Sequence, residues 1–337
     1  MLILQTAQSD AQLGEQIEIE LADVENRFAA ELISDLKCVN TLVTHIERYR
    51  GKMLRPTLVL VSGMATIDDP AAVGDPTRVI ATVVELVHMA TLVHDDVLDE
   101  ARTRRRGRTV NDLAGNETAV MLGDYLISHA YHLCSSLDRP AINHLIADAT
   151  NTVCEGELLQ LANRNNWDLD EKTYFEIIRR KTASLCGTCC RVAAILSNAP
   201  AEVADGLYDY GEKLGVAYQI VDDVLDLTGS ERTVGKTLGR DLQKGKATLP
   251  LIHTLRQGPA ADRSKLRALL AKLEGSQDES QLLEVRELVG ANGSVDHANK
   301  WAASLVEQAK LSVMTLAPTP CRQLLLNMAD AVLGRRF

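Results

Sequence analysis

The spacing of apolar residues predicts a chain built from helices. Apolar side chains recur every three or four residues over long Ala- and Leu-rich stretches, as expected when one face of a helix is buried. Runs of β-branched residues in strict alternation, which would predict strands, are hard to find. We therefore predict an all-α fold, whose clearest helical stretches are 79–99, 118–137, 141–163, 172–197 and 203–227.

The breaks between these stretches are short, and they predict inter-helix loops rather than domain linkers. They lie around Pro70–Pro76, Asn163–Trp167 and Thr228–Gly239. No long linker or abrupt change in composition interrupts the 337 residues. The prediction is one domain over residues 1–337, with a core of Leu, Val, Ile and Ala because aromatic residues are scarce.

Composition and charge exclude several classes of function. The net charge of −10, without a basic terminal arm, argues against general binding to nucleic acid or anionic lipid, which needs surplus Lys and Arg. No uncharged run reaches the roughly 18 residues of a membrane span, and the first residues do not resemble a secretory signal. We expect a cytoplasmic protein without a membrane span, which holds anionic ligands through local cations or metal ions.

The seven cysteines do not suggest a disulfide framework, because their number is odd and they are scattered. Cys186, Cys189 and Cys190 form the one cluster. A single C-x-x-C without a second pair or a nearby His is a weak zinc signal, and thiols packed on a helix are the favoured interpretation.

The motif DDVLD occurs twice, at Asp95–Asp99 and at Asp222–Asp226. Its first and last carboxylates lie one helical turn apart, where like charges repel, and each motif follows an apolar run that implies partial burial. A lone copy is also common on solvated helix surfaces, but two copies inside apolar helices favour a bound hard cation such as Mg²⁺. The candidate metal ligands are Asp95, Asp96, Asp99, Asp222, Asp223 and Asp226.

Cationic residues supply candidate diphosphate contacts. Lys52 and Arg55 stand in the segment 51–56, which opens an apolar helix and so places both cations near an N-terminus that favours phosphate. Five arginines directly follow the first motif, namely Arg102, Arg104, Arg105, Arg106 and Arg108. Alone they would suggest a solvated loop or targeting signal, but next to a metal motif they favour diphosphate binding. His88 shares the helix stripe of Asp95 and Asp99, which favours a ligand role over a core histidine.

Together these motifs resemble the trans-prenyltransferases, or isoprenyl diphosphate synthases, and most closely the long-chain, octaprenyl-type members. The resemblance covers most of the chain. Besides both aspartate motifs, it includes G-K-x-x-R-P at 51–56, E-x-x-H at 85–88, the stretch 155–160, Lys181-Thr182, Gln219, Gly235-Lys236 and 245–250. It implies the all-α isoprenoid synthase bundle around a central cavity, with Mg²⁺ as cofactor and a homodimer as the assembly.

The resemblance also implies roles for individual residues. The six aspartates would bind Mg²⁺ that grips an allylic diphosphate, and Lys181 and the aspartates would be catalytic. The allylic diphosphate would be contacted by Arg104, Lys181, Thr182, Gln219, Lys236 and Lys246. Isopentenyl diphosphate would be held by Lys52, Arg55, His88 and Arg105. The expected reaction is head-to-tail addition of isopentenyl diphosphate, with a long product for a quinone side chain.

Two positions depart from the family pattern. Arg106 stands where the family usually has Gly, which leaves open which two of Arg104, Arg105 and Arg106 contact diphosphate. Tyr218 stands where the second motif more often has Phe.

The residues before the first motif bear on product length. Ala90 and Thr91 are small, where short-chain relatives carry an aromatic that blocks the growing tail. Small residues also serve close helix packing, but with the octaprenyl-type resemblance they favour a long product.

Other functions fit less well. A short-chain synthase and a non-catalytic subunit of a heteromeric synthase stay open, although such a subunit should have lost aspartates. A class I terpene cyclase needs no second diphosphate site, and a Ca²⁺-buffering helical protein leaves the cationic residues unexplained.

Overall fold

The regular structure is almost entirely helical over the residues that the computed structural model describes, 11–49, 51–105, 107–228, 239–273 and 279–335. The first half holds α1 Ala11–Glu31, α2 Lys37–Ile46, α3 Leu54–Met64, α4 Asp75–Leu98, β1 Thr103–Arg104, β2 Gly107–Arg108, α5 Val110–Ala114, α6 Asn116–Ser135 and α7 Pro140–Ala162. Short 3₁₀ turns occupy Glu47–Tyr49 and Pro70–Ala72. The predicted all-α class is confirmed.

The second half continues in the same way. It holds α8 Glu171–Ile178, a π-helix Arg179–Ala183, α9 Ser184–Leu196, α10 Ala201–Thr228, α11 Arg240–Gln243, α12 Leu249–Gln257, α13 Ala260–Leu273, α14 Glu279–Ala291, α15 Ser294–Ser312 and α16 Pro320–Leu333. The five stretches predicted from periodicity correspond to α4, α6, α7, the α8–α9 region and α10, each within a few residues.

The chain forms two compact units, each assembled from three segments. The first comprises Met1–Thr150, Cys186–Gly211 and Ser312–Met328, and the second comprises Asn151–Leu185, Glu212–Leu311 and Ala329–Phe337. The single domain over 1–337 stays a prediction.

Helix α4 is the centre of the first unit. It packs against α1, α3 and α6, and its Val83, Val84, Leu86 and Val87 side chains are fully buried. In the described ranges it is the one helix long and apolar enough to cross a membrane, yet 72% of its most apolar window is buried within the protein. The apolar character of α4 is therefore explained by core packing.

The cysteine cluster also belongs to the core of the first unit. Cys186, Cys189 and Cys190 are buried and free of disulfides on α9. Burial raises the pKa of the Cys190 thiol to about 12. These properties agree with packed, protonated thiols.

The second unit has its own core. Helix α12 packs against α8, α13 and α14, and α13 packs against α14. Leu251, Ile252, Leu270 and Val285 are among the buried side chains of these helices. The predicted loop around Thr228–Gly239 falls largely outside the described residues, because 229–238 are not described.

Candidate active site

The first aspartate motif lies at the carboxyl end of α4. The helix ends at Leu98, and the Asp99 backbone N–H donates to the Asp95 carbonyl at 2.8 Å. Asp95 and Asp99 therefore keep the one-turn separation that the sequence predicts. Both carboxylate-bearing residues are partly exposed. This outer pair is accessible to a cation.

Asp96, the second of the three aspartates in this motif, is surrounded differently from Asp95 and Asp99. Its side chain is only 2% exposed, and Arg104 reaches it from β1. The Arg104 Nε donates to both Asp96 oxygens at 3.0 Å, and Nη2 donates to Oδ1 at 2.8 Å. Burial raises the pKa of Asp96, opposed by the Arg104 hydrogen bond and charge. Asp96 is thus a buried anchor for the arginine segment.

Tyr49 completes this anchor. Its ring lies 5.9 Å from the Arg104 guanidinium carbon, and its hydroxyl accepts a hydrogen bond from the Val110 N–H at 3.0 Å. Burial, followed by the charge of Asp96, raises the pKa of Tyr49 to about 12. The phenol therefore stays protonated at neutral pH.

Arg105 occupies the turn of a small hairpin. Strands β1 and β2 pair antiparallel, with Arg104 opposite Gly107, so two residues separate the strands. Arg105 adopts a positive φ of 47°, and Arg106 lies outside the described residues. The Arg105 guanidinium lies against the Gly51 α-carbon, in space that a larger residue at 51 would occupy. The hairpin therefore places Arg105 beside the G-K-x-x-R-P segment.

Of the next two cationic candidates, Lys52 and Arg55, the structure brings Arg55 near His88. Helix α3 begins at Leu54, so Arg55 lies in its first turn, as predicted, and Lys52 just before it is exposed. The Arg55 Nε is buried without a hydrogen-bond partner among the described residues. Burial and the charges of Arg55, Arg104 and Arg105 hold the pKa of His88 well below its usual value. His88 is consequently neutral at pH 7.

The two product-length candidates lie within α4. Ala90 is fully buried, whereas Thr91 is half-buried and its hydroxyl donates to the His88 carbonyl at 2.8 Å.

The second aspartate motif lies inside α10, in the second unit. The second of its three aspartates, Asp223, is buried and hydrogen-bonded, as Asp96 is in the first motif. The Tyr174 hydroxyl donates to Oδ2 at 2.7 Å, and the Gln219 amide donates to Oδ1 at 2.8 Å. Burial, with the nearby Asp241, raises the pKa of Asp223 well above its usual value. Asp223 thus parallels Asp96, with neutral donors in place of an arginine.

The outer residues of this motif, Asp222 and Asp226, are more exposed than Asp223. Asp222 is 46% exposed, and Asp226 accepts a hydrogen bond from the Asp241 N–H at 3.2 Å. Burial and the neighbouring Asp241 carboxylate raise the pKa of Asp226 to about 7. A cation bound here would offset the electrostatic repulsion between the carboxylates of Asp222, Asp226 and Asp241.

Each motif therefore fits a hard divalent cation, for which oxygen-only donors are suitable. In the described ranges, no three Asp, Glu, His or Cys side chains already surround one point. An ion at either motif would accordingly complete its shell with water or substrate oxygens, as Mg²⁺ commonly does.

Lys181 and Thr182 are presented by the π-helix. This wider turn brings the Lys181 backbone against α7 at Gly156, which has no side chain to obstruct it. Lys181 forms an ion pair with Glu157, and the Thr182 hydroxyl donates to the Gln219 amide oxygen at 3.2 Å. The π-helix thereby links both candidates to α7 and to the second motif.

An open cavity of about 590 Å³ joins these residues within the second unit. Its polar lining includes Lys181, Thr182, Gln219, Asp223, Asp241 and Lys246, and Leu169, Ile177 and Ile178 form an apolar part. Lys246 is held by its backbone N–H, which donates to the Asp241 carbonyl at 2.8 Å. The remaining candidate, Lys236, lies outside the described residues.

Comparison with known proteins now decides the family. A family model described as polyprenyl synthetase matches residues 36–289. The chain is also 33% identical over 317 residues to octaprenyl diphosphate synthase of Escherichia coli (strain K12), which covers 94% of this chain and 96% of that protein. The chain belongs to the polyprenyl synthetase family. It is a prenyltransferase, as the sequence resemblance implies.

Further relatives of this polyprenyl synthetase family member show its fold and the range of the family. The crystal structure of a Caulobacter crescentus polyprenyl synthase complexed with calcium and isoprenyl diphosphate matches with a TM-score of 0.88 at 30% identity, covering 96% of this chain and 98% of that one. A short chain isoprenyl diphosphate synthase of Methanothermobacter thermautotrophicus is 34% identical over 324 residues, covering 94% and 96%. Overall identity therefore does not distinguish product lengths.

Several residues of this family member escaped the sequence reasoning. Tyr49, Tyr174, Glu157 and Asp241 each contact a candidate residue, but none lies in a motif whose spacing implies a role. Glu157 came nearest to detection, since it belongs to the stretch 155–160 that carries the resemblance.

We expect Gly156→Ala to reduce stability and activity together. An added Cβ would overlap the Lys181 backbone, so the π-helix must shift, at a cost of about 1–3 kcal/mol in the free energy of unfolding. Urea unfolding and initial rates measure the two effects. Gly290→Ala is the matched control at an exposed position of α14, where a Cβ meets no atom within 4 Å, and it should raise stability by about 0.5–1 kcal/mol. Equal behaviour of the two variants would contradict the proposed contact.

Proposed function

We propose that this enzyme is a Mg²⁺-dependent synthase that adds isopentenyl diphosphate head to tail to an allylic diphosphate, repeatedly, to make a long all-trans product. The observation that carries the proposal is the pairing of two aspartate motifs with ordered cationic residues. Family membership and the octaprenyl diphosphate synthase of E. coli support the prenyl transfer and the long product.

Within this proposal the aspartates divide into two groups. Asp95, Asp99, Asp222 and Asp226 are the direct metal ligands, because they are the more accessible pairs. Asp96 and Asp223 act through their neighbours, since their carboxylates are already hydrogen-bonded by Arg104 and by Tyr174 with Gln219. This refines the expectation that all six bind metal alike. Bound Mg²⁺ supplies Lewis-acid stabilisation of the charge on a departing diphosphate.

The cationic residues bind the two substrates. Lys52, Arg55, His88 and Arg105 hold isopentenyl diphosphate, where the buried Arg55 Nε has a donor available for an anionic oxygen. The allylic diphosphate is held by Arg104, Lys181, Thr182, Gln219, Lys246 and Lys236. Neutral His88 can donate one hydrogen bond without adding charge.

The reaction needs no protein nucleophile. As the allylic carbon–oxygen bond breaks, electrons pass to the diphosphate, whose charge the Lys and Arg side chains stabilise. The double bond of isopentenyl diphosphate attacks the resulting carbocation, a new carbon–carbon bond forms, and loss of a proton restores a double bond. The released diphosphate accepts that proton, and the longer product becomes the next allylic substrate.

Product sizing tests this function directly. The purified protein is incubated with labelled isopentenyl diphosphate, Mg²⁺ and a short allylic diphosphate, and the products are separated by chain length. Linear products longer than geranylgeranyl diphosphate support the proposal, while farnesyl or geranylgeranyl products support the short-chain alternative. Failure to form any linear prenyl diphosphate would exclude both, and would favour the non-catalytic subunit of a heteromeric synthase.

We expect Ala90→Phe or Thr91→Phe to shorten the product. An aromatic one helical turn before Asp95 would fill the space proposed for the growing tail. The measurement is product chromatography at equal turnover. Thr91→Val is the control, because it keeps the volume and should preserve chain length. An unchanged product in both Phe variants would refute the tunnel assignment.

The assembly and location belong to the same proposal. We infer a cytoplasmic homodimer whose product serves a quinone side chain. Light scattering of the purified protein checks the mass, and a monomeric mass for fully active enzyme would contradict the homodimer.

A further inference from the structure

Arg335, two residues after α16, contacts the second aspartate motif. The Arg335 Nη2 donates to Asp222 Oδ1 at 3.1 Å, and Nη1 donates to the Tyr218 carbonyl at 3.3 Å. The guanidinium carbon lies 3.7 Å from the Tyr218 ring centroid. These three contacts are made by one side chain within the second unit.

The arrangement gives the arginine a defined position. Tyr218 and Asp222 are one turn apart on α10, so the ring and the carboxylate face the same side. The Arg335 side chain is only 11% exposed, because the aromatic ring covers its planar face. Phe, which is more usual at 218, would keep the ring, so the stacking needs an aromatic residue rather than the hydroxyl.

We propose that Arg335 is a positioning residue that acts as an internal counter-ion of Asp222, and that a divalent cation competes with it for this carboxylate. The inference rests on the proposed metal role of Asp222. Both cations would bind the Asp222 carboxylate oxygens, and the 46% exposed side chain of Asp222 leaves them open to an ion from solvent. Metal binding at Asp222 therefore releases or redirects the guanidinium.

Metal binding to the full-length protein without substrates tests the competition. Mn²⁺ replaces Mg²⁺, and free Mn²⁺ is counted by electron paramagnetic resonance. We expect Arg335→Gln to tighten Mn²⁺ binding about two- to fivefold, the range of one partly exposed ion pair. Tyr218→Leu should tighten it less, and Tyr218→Phe should match the wild type because the ring remains.

Two controls separate competition from general charge effects. Arg267→Gln removes the same charge from a surface pair with Asp168 in the same unit, and should leave Mn²⁺ affinity unchanged. In an Asp222→Asn background, Arg335→Gln should give no gain. Unchanged or weaker binding in Arg335→Gln, or an equal gain in the Asp222→Asn background, would overturn the proposal.

The same titrations report on the proposed function separately. Asp222→Asn alone should weaken Mn²⁺ binding, whatever Arg335 does. If it does not, the metal role of Asp222 fails, and the inference fails with it. If Asp222→Asn weakens Mn²⁺ binding but Arg335→Gln has the Mn²⁺ affinity of the wild type, the metal role of Asp222 is supported and the counter-ion role of Arg335 is wrong. Circular dichroism confirms that each variant is folded.

Discussion

Asp95→Asn is expected to lower kcat by about 10³-fold while leaving the fold intact. The change removes the charge of one proposed metal ligand, and several kcal/mol of charge stabilisation is lost with the metal. Asp95 is partly exposed at the end of α4, so an isosteric amide there disturbs no core packing. The measurement is the initial rate of labelled isopentenyl diphosphate incorporation at saturating Mg²⁺, with thermal unfolding recorded on the same sample.

Glu100→Gln is the matched control for this prediction. Glu100 is an exposed carboxylate directly after the motif, and its removal should change kcat by less than about twofold. Asp95→Asn within tenfold of the wild-type rate would contradict the metal assignment. Equal losses in both variants would indicate a general effect of charge rather than a ligand role.

Local sequence patterns predicted the helices and the outer aspartate pairs well. Helices α4, α6, α7 and α10 follow their periodic stretches within a few residues, because each buries a continuous apolar face. The i, i+4 relation of the outer aspartates is likewise a property of the helix itself. These features depend on neighbouring residues, which the sequence displays directly.

The different role of the middle aspartates depends on distant contacts. Asp96 has a cationic partner because the hairpin at β1 and β2 folds back and brings Arg104 onto it. Asp223 is anchored by Tyr174, 49 residues away. The sequence marked Arg104 as a candidate diphosphate contact but not as the partner of Asp96, and Tyr174 lies in no motif, so neither pairing could be predicted locally.

The sequence pattern did not predict the π-helix, also because a distant contact determines it. The stretch 172–197 reads as one regular helix, and the structure keeps it helical while widening one turn at Arg179–Ala183. The cause lies on another helix, where Gly156 allows the Lys181 backbone to approach. A glycine within an apolar helix predicts close packing but does not name its partner.

Arg104→Ala is expected to destabilise the metal-free protein by about 3–5 kcal/mol, because removing one partner of a buried ion pair leaves the other charge unpaired. Asp96 is 2% exposed, and the Arg104 guanidinium donates hydrogen bonds to both of its carboxylate oxygens. Urea unfolding without substrates measures the change. Arg104→Lys should recover only part of it, since an ammonium cannot reproduce the fork on both carboxylate oxygens.

Arg108→Ala provides the comparison that isolates burial. Arg108 lies on the same hairpin and pairs with Asp112 at 2.5 Å, but its side chain is 59% exposed, so its loss should cost less than about 1 kcal/mol. Asp96→Asn combined with Arg104→Ala should restore much of the stability, because the unpaired charge is then gone. Equally small losses of unfolding free energy in Arg104→Ala and Arg108→Ala would show that the Asp96 carboxylate does not need Arg104. A double variant no more stable than Arg104→Ala alone would show the same. The first motif would then be held by α4 itself rather than by the hairpin.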